Sequence, residues 1–113
     1  MNTSQSDDLE QALSFARYQQ TLNNQRQILR EKFAADTLVA RDGGLFQITA
    51  QWLSCFDPQL NWHIDINGTP VYINDPQGFI TEARELWAKT LAEYGEAWRE
   101  LSRNRTVKGL VDL

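Results

Sequence analysis

The chain has 113 residues and a formal charge of −4, with 42% hydrophobic and 23% charged residues. That length suits one domain with a modest core, the composition opposes wholesale disorder, and the acidic balance opposes non-specific nucleic-acid binding. A single cysteine, Cys55, excludes an internal disulfide, no apolar run approaches the roughly 18 residues of a membrane span, and the polar start MNTSQSDDLEQ is unlike a secretory signal.

Residues 1–6 read as a polar tail. From 7 to 38 there is no proline or glycine, and the composition predicts one long helix approaching 50 Å at about 1.5 Å per residue. Its apolar positions are sparse: Phe15, Tyr18, Leu22, Leu29 and Phe33 follow one another at spacings of three, four and seven, with polar Gln25 in the gap. Such a narrow stripe is closer to a coiled-coil seam than to the broad face of a core helix. Two readings stay open. The helix packs along one edge within the chain, or its stripe is covered by another subunit.

Arg41-Asp42-Gly43-Gly44 breaks the helical pattern, because adjacent glycines relax the limits on turn geometry. A short strand is expected over 45–48, then a short helix over 50–56 capped by Thr49. Asp57-Pro58 ends that helix. Within it Cys55 is expected to be a buried, inert thiol.

Residues 61–73 carry a β-hairpin signal: alternating apolar positions on both sides of Asn67-Gly68. A two-residue turn there sets Ile66 opposite Thr69, Ile64 opposite Val71 and Trp62 opposite Ile73, all on one inward face. It puts His63 against Tyr72 on the other face. Pro70 has no N–H, so its strand is expected to lack a partner on that side.

Asp75 as N-cap and Pro76 at the first helical position open a second long helix reaching 101. Its apolar face is broad. Ile80, Trp87, Tyr94 and Leu101 recur every seven residues, with the small residues Ala83, Thr90 and Ala97 between them, and Gly95 is expected to mark a close backbone approach. Residues 102–113 read as a tail, basic first (Arg103, Arg105, Lys108) and apolar last (Leu110, Val111, Leu113).

Candidate chemistry is thin. One histidine and one cysteine lie on different predicted elements, too few for an ordinary structural zinc site within one chain. The carboxylates of the second long helix trace its solvent face, and no Gly-rich phosphate loop occurs. No enzyme activity, metal or cofactor is expected. Of the four tryptophans, Trp52, Trp62, Trp87 and Trp98 are read as core, and any that stays exposed as an interface anchor. Arg99, Arg103, Arg105 and Lys108 form a weak basic patch, which dipole complementarity at a helix C-terminus explains without nucleic acid.

The order of these pieces, with DGGLFQIT, the INGTPVYIND hairpin and the ending LSRNRTVKGLVDL, resembles small proteins of contractile-tailed bacteriophages, including those of cyanobacteria. The resemblance covers about the last two-thirds of the chain. It implies a virion, baseplate or tail-assembly role within an oligomer, in the host cytoplasm or the virion.

The sequence therefore predicts an α+β, mainly helical domain over 7–101: two long helices packed as a helical hairpin or coiled coil, a short helix and a β-hairpin. The expected function is a non-enzymatic protein–protein interaction subunit, a homo-oligomer or part of a larger assembly. Its contact residues are Phe15, Tyr18, Leu22, Leu29, Phe33, Leu110, Val111 and Leu113. The alternative is a small acidic regulator that binds a host protein as a monomer.

Overall fold

The computed structural model describes residues 3–112, and their side chains over 7–103. The element order is α1 (Thr3–Asp36), β1 (Leu38–Arg41), β2 (Gly44–Gln47), α2 (Ala50–Cys55), β3 (Trp62–Ile64), β4 (Pro70–Tyr72) and α3 (Pro76–Asp112). The fold is α+β and mainly helical. Its Cα radius of gyration is 21.8 Å, against about 13 Å for a compact domain of this size. The molecule is a rod 75 Å long and 25 × 19 Å across.

Helix α1 stops two residues before the expected point, and its C-terminal carbonyls explain why. Thr37 donates its N–H to Phe33 O at 3.1 Å and its hydroxyl to the same oxygen at 2.8 Å. Gln47 Nε2 reaches Ala34 O at 3.1 Å. Two of the orphan carbonyls of the last turn, those of Phe33 and Ala34, are thereby satisfied. Thr37 O then accepts from Ile48 N at 2.9 Å, so the chain passes directly into a strand. At the other end, α1 begins at Thr3, inside the segment read as a tail.

The strand expected at 45–48 is β2, and its partner is β1, of which only Leu38 falls within the expected first helix and none reads as strand from sequence. The two pair antiparallel, with Leu38 opposite Gln47 and Arg41 opposite Gly44. The two-residue connection, Asp42-Gly43, has φ of 51° and 83°, both in the region a type I′ turn requires.

The second hairpin forms, but in a different register. Trp62 lies opposite Tyr72, His63 opposite Val71 and Ile64 opposite Pro70. In its turn only Gly68 has positive φ, at 76°. Gly68 N donates to Asp65 O at 3.0 Å and Asp65 N to Thr69 O at 3.0 Å. The loop therefore has three residues, 66–68. A one-residue slip moves every side chain to the other face. Val71 points into the core, while Trp62 and Ile64 do not.

The two hairpins and the first turns of α3 enclose the core: Phe46, Ile48, Val71, Ile73, Phe79 and Ala83, with Trp52, Leu53 and Phe56 of the α2 segment along its margin. Phe79 meets Phe46, Trp52 and Phe56 edge-on, with ring centroids 5.4–5.7 Å apart. Each fully buried side chain of this kind contributes about 1.5–3 kcal/mol. The hairpins approach closely at Gly44, where an added Cβ would lie 2.5 Å from Val71 Cγ2. Arg41 ties β1 to α3 through an ion pair with Glu82 and a contact over the Phe79 ring at 5.0 Å.

Both expected caps form. Thr49 Oγ1 accepts from Trp52 N at 3.0 Å, and Asp75 Oδ1 from Gly78 N at 3.0 Å. Beyond the core, α1 and α3 run antiparallel as a two-helix rod. Phe33 stacks on Tyr94 at 4.7 Å and packs against Trp87 at 5.2 Å, and Arg26 and Arg30 lie over Trp98 at 5.2 and 5.3 Å. Gly95 marks no close approach, because it is exposed and an added Cβ there would meet nothing within 4 Å. The segment 102–112, read as a tail, continues α3, consistent with its lack of proline.

Candidate interaction surface

The contact residues proposed on the first helix divide along its length. Leu22 is buried, Leu29 and Phe33 are half-buried, and Phe33 is covered by aromatic rings of α3 in the same chain. Tyr18 is half-buried and engaged, whereas Phe15 is exposed together with Leu9 and Leu13. The seam from Leu22 to Phe33 is thus an internal helix–helix contact. The side chains of Leu110 and Val111, and the whole of Leu113, lie outside the described residues.

The largest change concerns the hairpin. Trp62, read as core, is 62% exposed and Ile64 71%, and Leu60, Ile66 and Tyr72 are also exposed. Trp62 and Tyr72 sit directly opposite each other on β3 and β4. Their rings meet edge-on at 5.3 Å, a geometry worth about 0.5–1.5 kcal/mol beyond the area covered. Ile64 follows two residues along the same face. No Lys, Arg, Asp or Glu occurs between 60 and 73 except Asp65, and its carboxylate is turned to the turn itself. Asp65 accepts from Leu45 N at 3.1 Å, Asn67 N at 2.9 Å and Thr69 N at 3.0 Å. The N–H donors of Thr69, Leu45 and Asn67 hold the carboxyl below the usual carboxylate range. Leu45 O takes the Ile66 N–H at 2.9 Å, so both outward main-chain groups of Leu45 are spent on securing this turn. The apolar face is therefore displayed on a braced platform.

His63 lies on the opposite side of the hairpin from Tyr72. Its ring stacks on Phe56 at 4.1 Å with 10° between planes, and Nε2 is 2.8 Å from Leu60 O. Cys55 is exposed, contrary to expectation, because the apolar side of a six-residue helix is used up by Trp52 and Leu53. Its sulfur lies 4.0 Å from Ser54 Oγ, and among the described residues no hydrogen bond joins it to His63. No group of three or more His, Cys, Asp or Glu side chains with metal-site geometry occurs among the described residues.

Two shallower features flank the helix pair. A cleft of about 260 Å³ is lined by Gln25, Ile28, Leu29, Ala97 and Leu101, smaller than the roughly 300–1,000 Å³ of typical small-molecule sites. In the basic patch, Arg99 pairs with Glu96 at 3.3 Å and Arg103 with Glu100 at 3.5 Å, so those two cations are locally balanced. No described helix is long and apolar enough to cross a membrane.

The chain is an α+β, mainly helical protein in which a two-helix rod carries a head of two β-hairpins and a short helix. No family model, curated protein or solved structure matches it.

Proposed function

We propose that this chain is a non-enzymatic protein-binding subunit, and that the hairpin head is its contact surface. The observation that carries this reading is the uncharged face of Leu60, Trp62, Ile64, Ile66 and Tyr72. All five side chains are about half exposed or more, and exposed apolar side chains gathered on one element mark protein–protein contact sites. Aromatic anchors surrounded by aliphatic side chains and depleted of charge are the composition of an interface centre. The α1–α3 rod would hold that head about 50 Å from its far end, as suits a piece of a larger assembly. The resemblance to small tailed-phage proteins makes a virion or tail-assembly setting the first to try.

A photo-crosslinking residue placed at 62 in the full chain, expressed in its native setting, tests this. Adducts with protein should form from position 62 and fall at least about fivefold at position 85, on the charged side of α3. Equal yields at the two positions would contradict the reading.

A further inference from the structure

The outer edge of β3 is as unguarded as the apolar face beside it. The ladder bonds of the second hairpin fall on the pairs 61:73 and 65:69. By the alternation of antiparallel pairing they also fall on 63:71, so the N–H and C=O groups of Trp62 and Ile64 point away from β4. Neither residue has a hydrogen bond on that side among the described residues. Natural edge strands are commonly protected by proline, lysine or a bulge. In this hairpin the protection lies on the other edge, where Pro70 lacks an N–H. On the β3 side the free edge is bounded at Ile66, whose N–H is held by Leu45 O.

We infer, building on the protein-binding reading, that a second copy of this chain pairs with the β3 edge, antiparallel about a two-fold axis at His63. That register sets Trp62 opposite Ile64 of the second copy and Ile64 opposite Trp62 of the second copy. The four outward groups on each strand then find partners in one step, a self-complementarity that a two-fold contact requires. Any other register leaves part of the free edge facing the Leu45–Ile66 bond or the turn at 57–60. Side chains of both strands emerge on one side, so two Trp62–Ile64–Tyr72 faces join into a single four-stranded surface. No charge on that face opposes its own copy. The five residues are about half to seven-tenths exposed. The pairing covers the strand edge and leaves the joined apolar face open, so the contact rests on the four outward main-chain groups of each strand and the side chains beside them.

Light scattering after size-exclusion chromatography of the full chain, up to about 1 mM, reads the association. The expected mass rises to twice the 13.0 kDa of the chain. Ile64→Lys, at an exposed position, should weaken dimerisation at least about tenfold, while Leu91→Lys on exposed α3 surface leaves it unchanged. Thermal unfolding within a few degrees of wild type verifies that both variants fold. Hydrogen exchange on the dimer should slow the Trp62 and Ile64 amides and leave Tyr72 N–H unprotected. A wild type monomeric at every concentration overturns the inference. So does a dimer that Ile64→Lys leaves intact, or one in which the Trp62 and Ile64 amides exchange freely. A monomer that still forms position-62 adducts with another protein leaves the protein-binding function standing with a different occupant; a monomer with no such adducts removes both.

Discussion

Asp42-Gly43 and Asn67-Gly68 are the same kind of signal, a polar residue and a glycine between short apolar runs, yet they build different turns. At Asp42-Gly43 both residues take positive φ, and a two-residue loop closes the first hairpin. The Asp42 side chain is occupied elsewhere, accepting from Asn74 N and Asn74 Nδ2 at 3.1 Å each. At Asn67-Gly68 only the glycine has positive φ. Asp65, two residues earlier, offers its carboxylate to the Asn67 and Thr69 N–H groups, and a side-chain acceptor at that place favours a turn that starts at Asp65 itself. One added loop residue reverses the faces of the strands. The first hairpin buries its aromatic, Phe46, and the second displays Trp62 and Tyr72. The pair teaches that a dipeptide identifies a hairpin, but the acceptor before it sets the register, and here the register decides which surface the protein offers.

The comparison can be broken most severely at the core that both hairpins share. Phe79→Ala removes a ring touching Phe46, Trp52 and Phe56 and should cost about 3–5 kcal/mol in denaturant unfolding. Gly44→Ala, at the point where the hairpins meet, forces a Cβ toward Val71 and should cost about 1–3 kcal/mol. Gly68→Ala should cost about 1 kcal/mol, because alanine resists the positive φ the three-residue loop needs. At Asp65 the expected effect is a change in pH dependence. Its folded carboxyl binds a proton at lower pH than the unfolded chain does, so its stabilisation is present above about pH 4 and fades as pH falls further, through the folded value. Wild type should therefore lose stability on acidification more steeply than Asp65→Asn, which thermal unfolding across pH 2–6, about that range, will read. Trp62→Ser should cost the monomer only about the 0.5–1.5 kcal/mol of its edge-on contact with Tyr72, because the rest of the side chain is largely in solvent.

Most of the architecture was legible where a local rule acts alone. The N-caps Thr49 and Asp75, the proline at 76 and the unbroken helical composition on either side of the head each state their own geometry. What escaped was decided by partners distant in sequence. Leu38–Arg41 does not read as a strand from sequence, and its place is set by the ladder to β2 and by Gln47 and Ile48, which bond back to Ala34 and Thr37. The narrow stripe on α1 left open whether it packs within the chain or against another subunit, and rings at Trp87 and Tyr94 cover Phe33 from within the chain. The hairpin face was misplaced because alternation fits both registers equally, and the choice lay in the Asp65 carboxylate and its bond to Leu45 N. The charge-free composition of residues 60–64 was visible throughout, and combined with the shifted register it marks the surface.

The register of the second hairpin is the claim on which the rest depends, and cross-strand nuclear Overhauser effects read it directly. In antiparallel strands the Hα atoms approach closely only in non-hydrogen-bonded pairs. The structure predicts strong Hα–Hα contacts between Trp62 and Tyr72 and between Ile64 and Pro70. A strong contact between His63 and Tyr72 instead would restore the two-residue Asn67-Gly68 turn, return Trp62 to the core face and contradict the account.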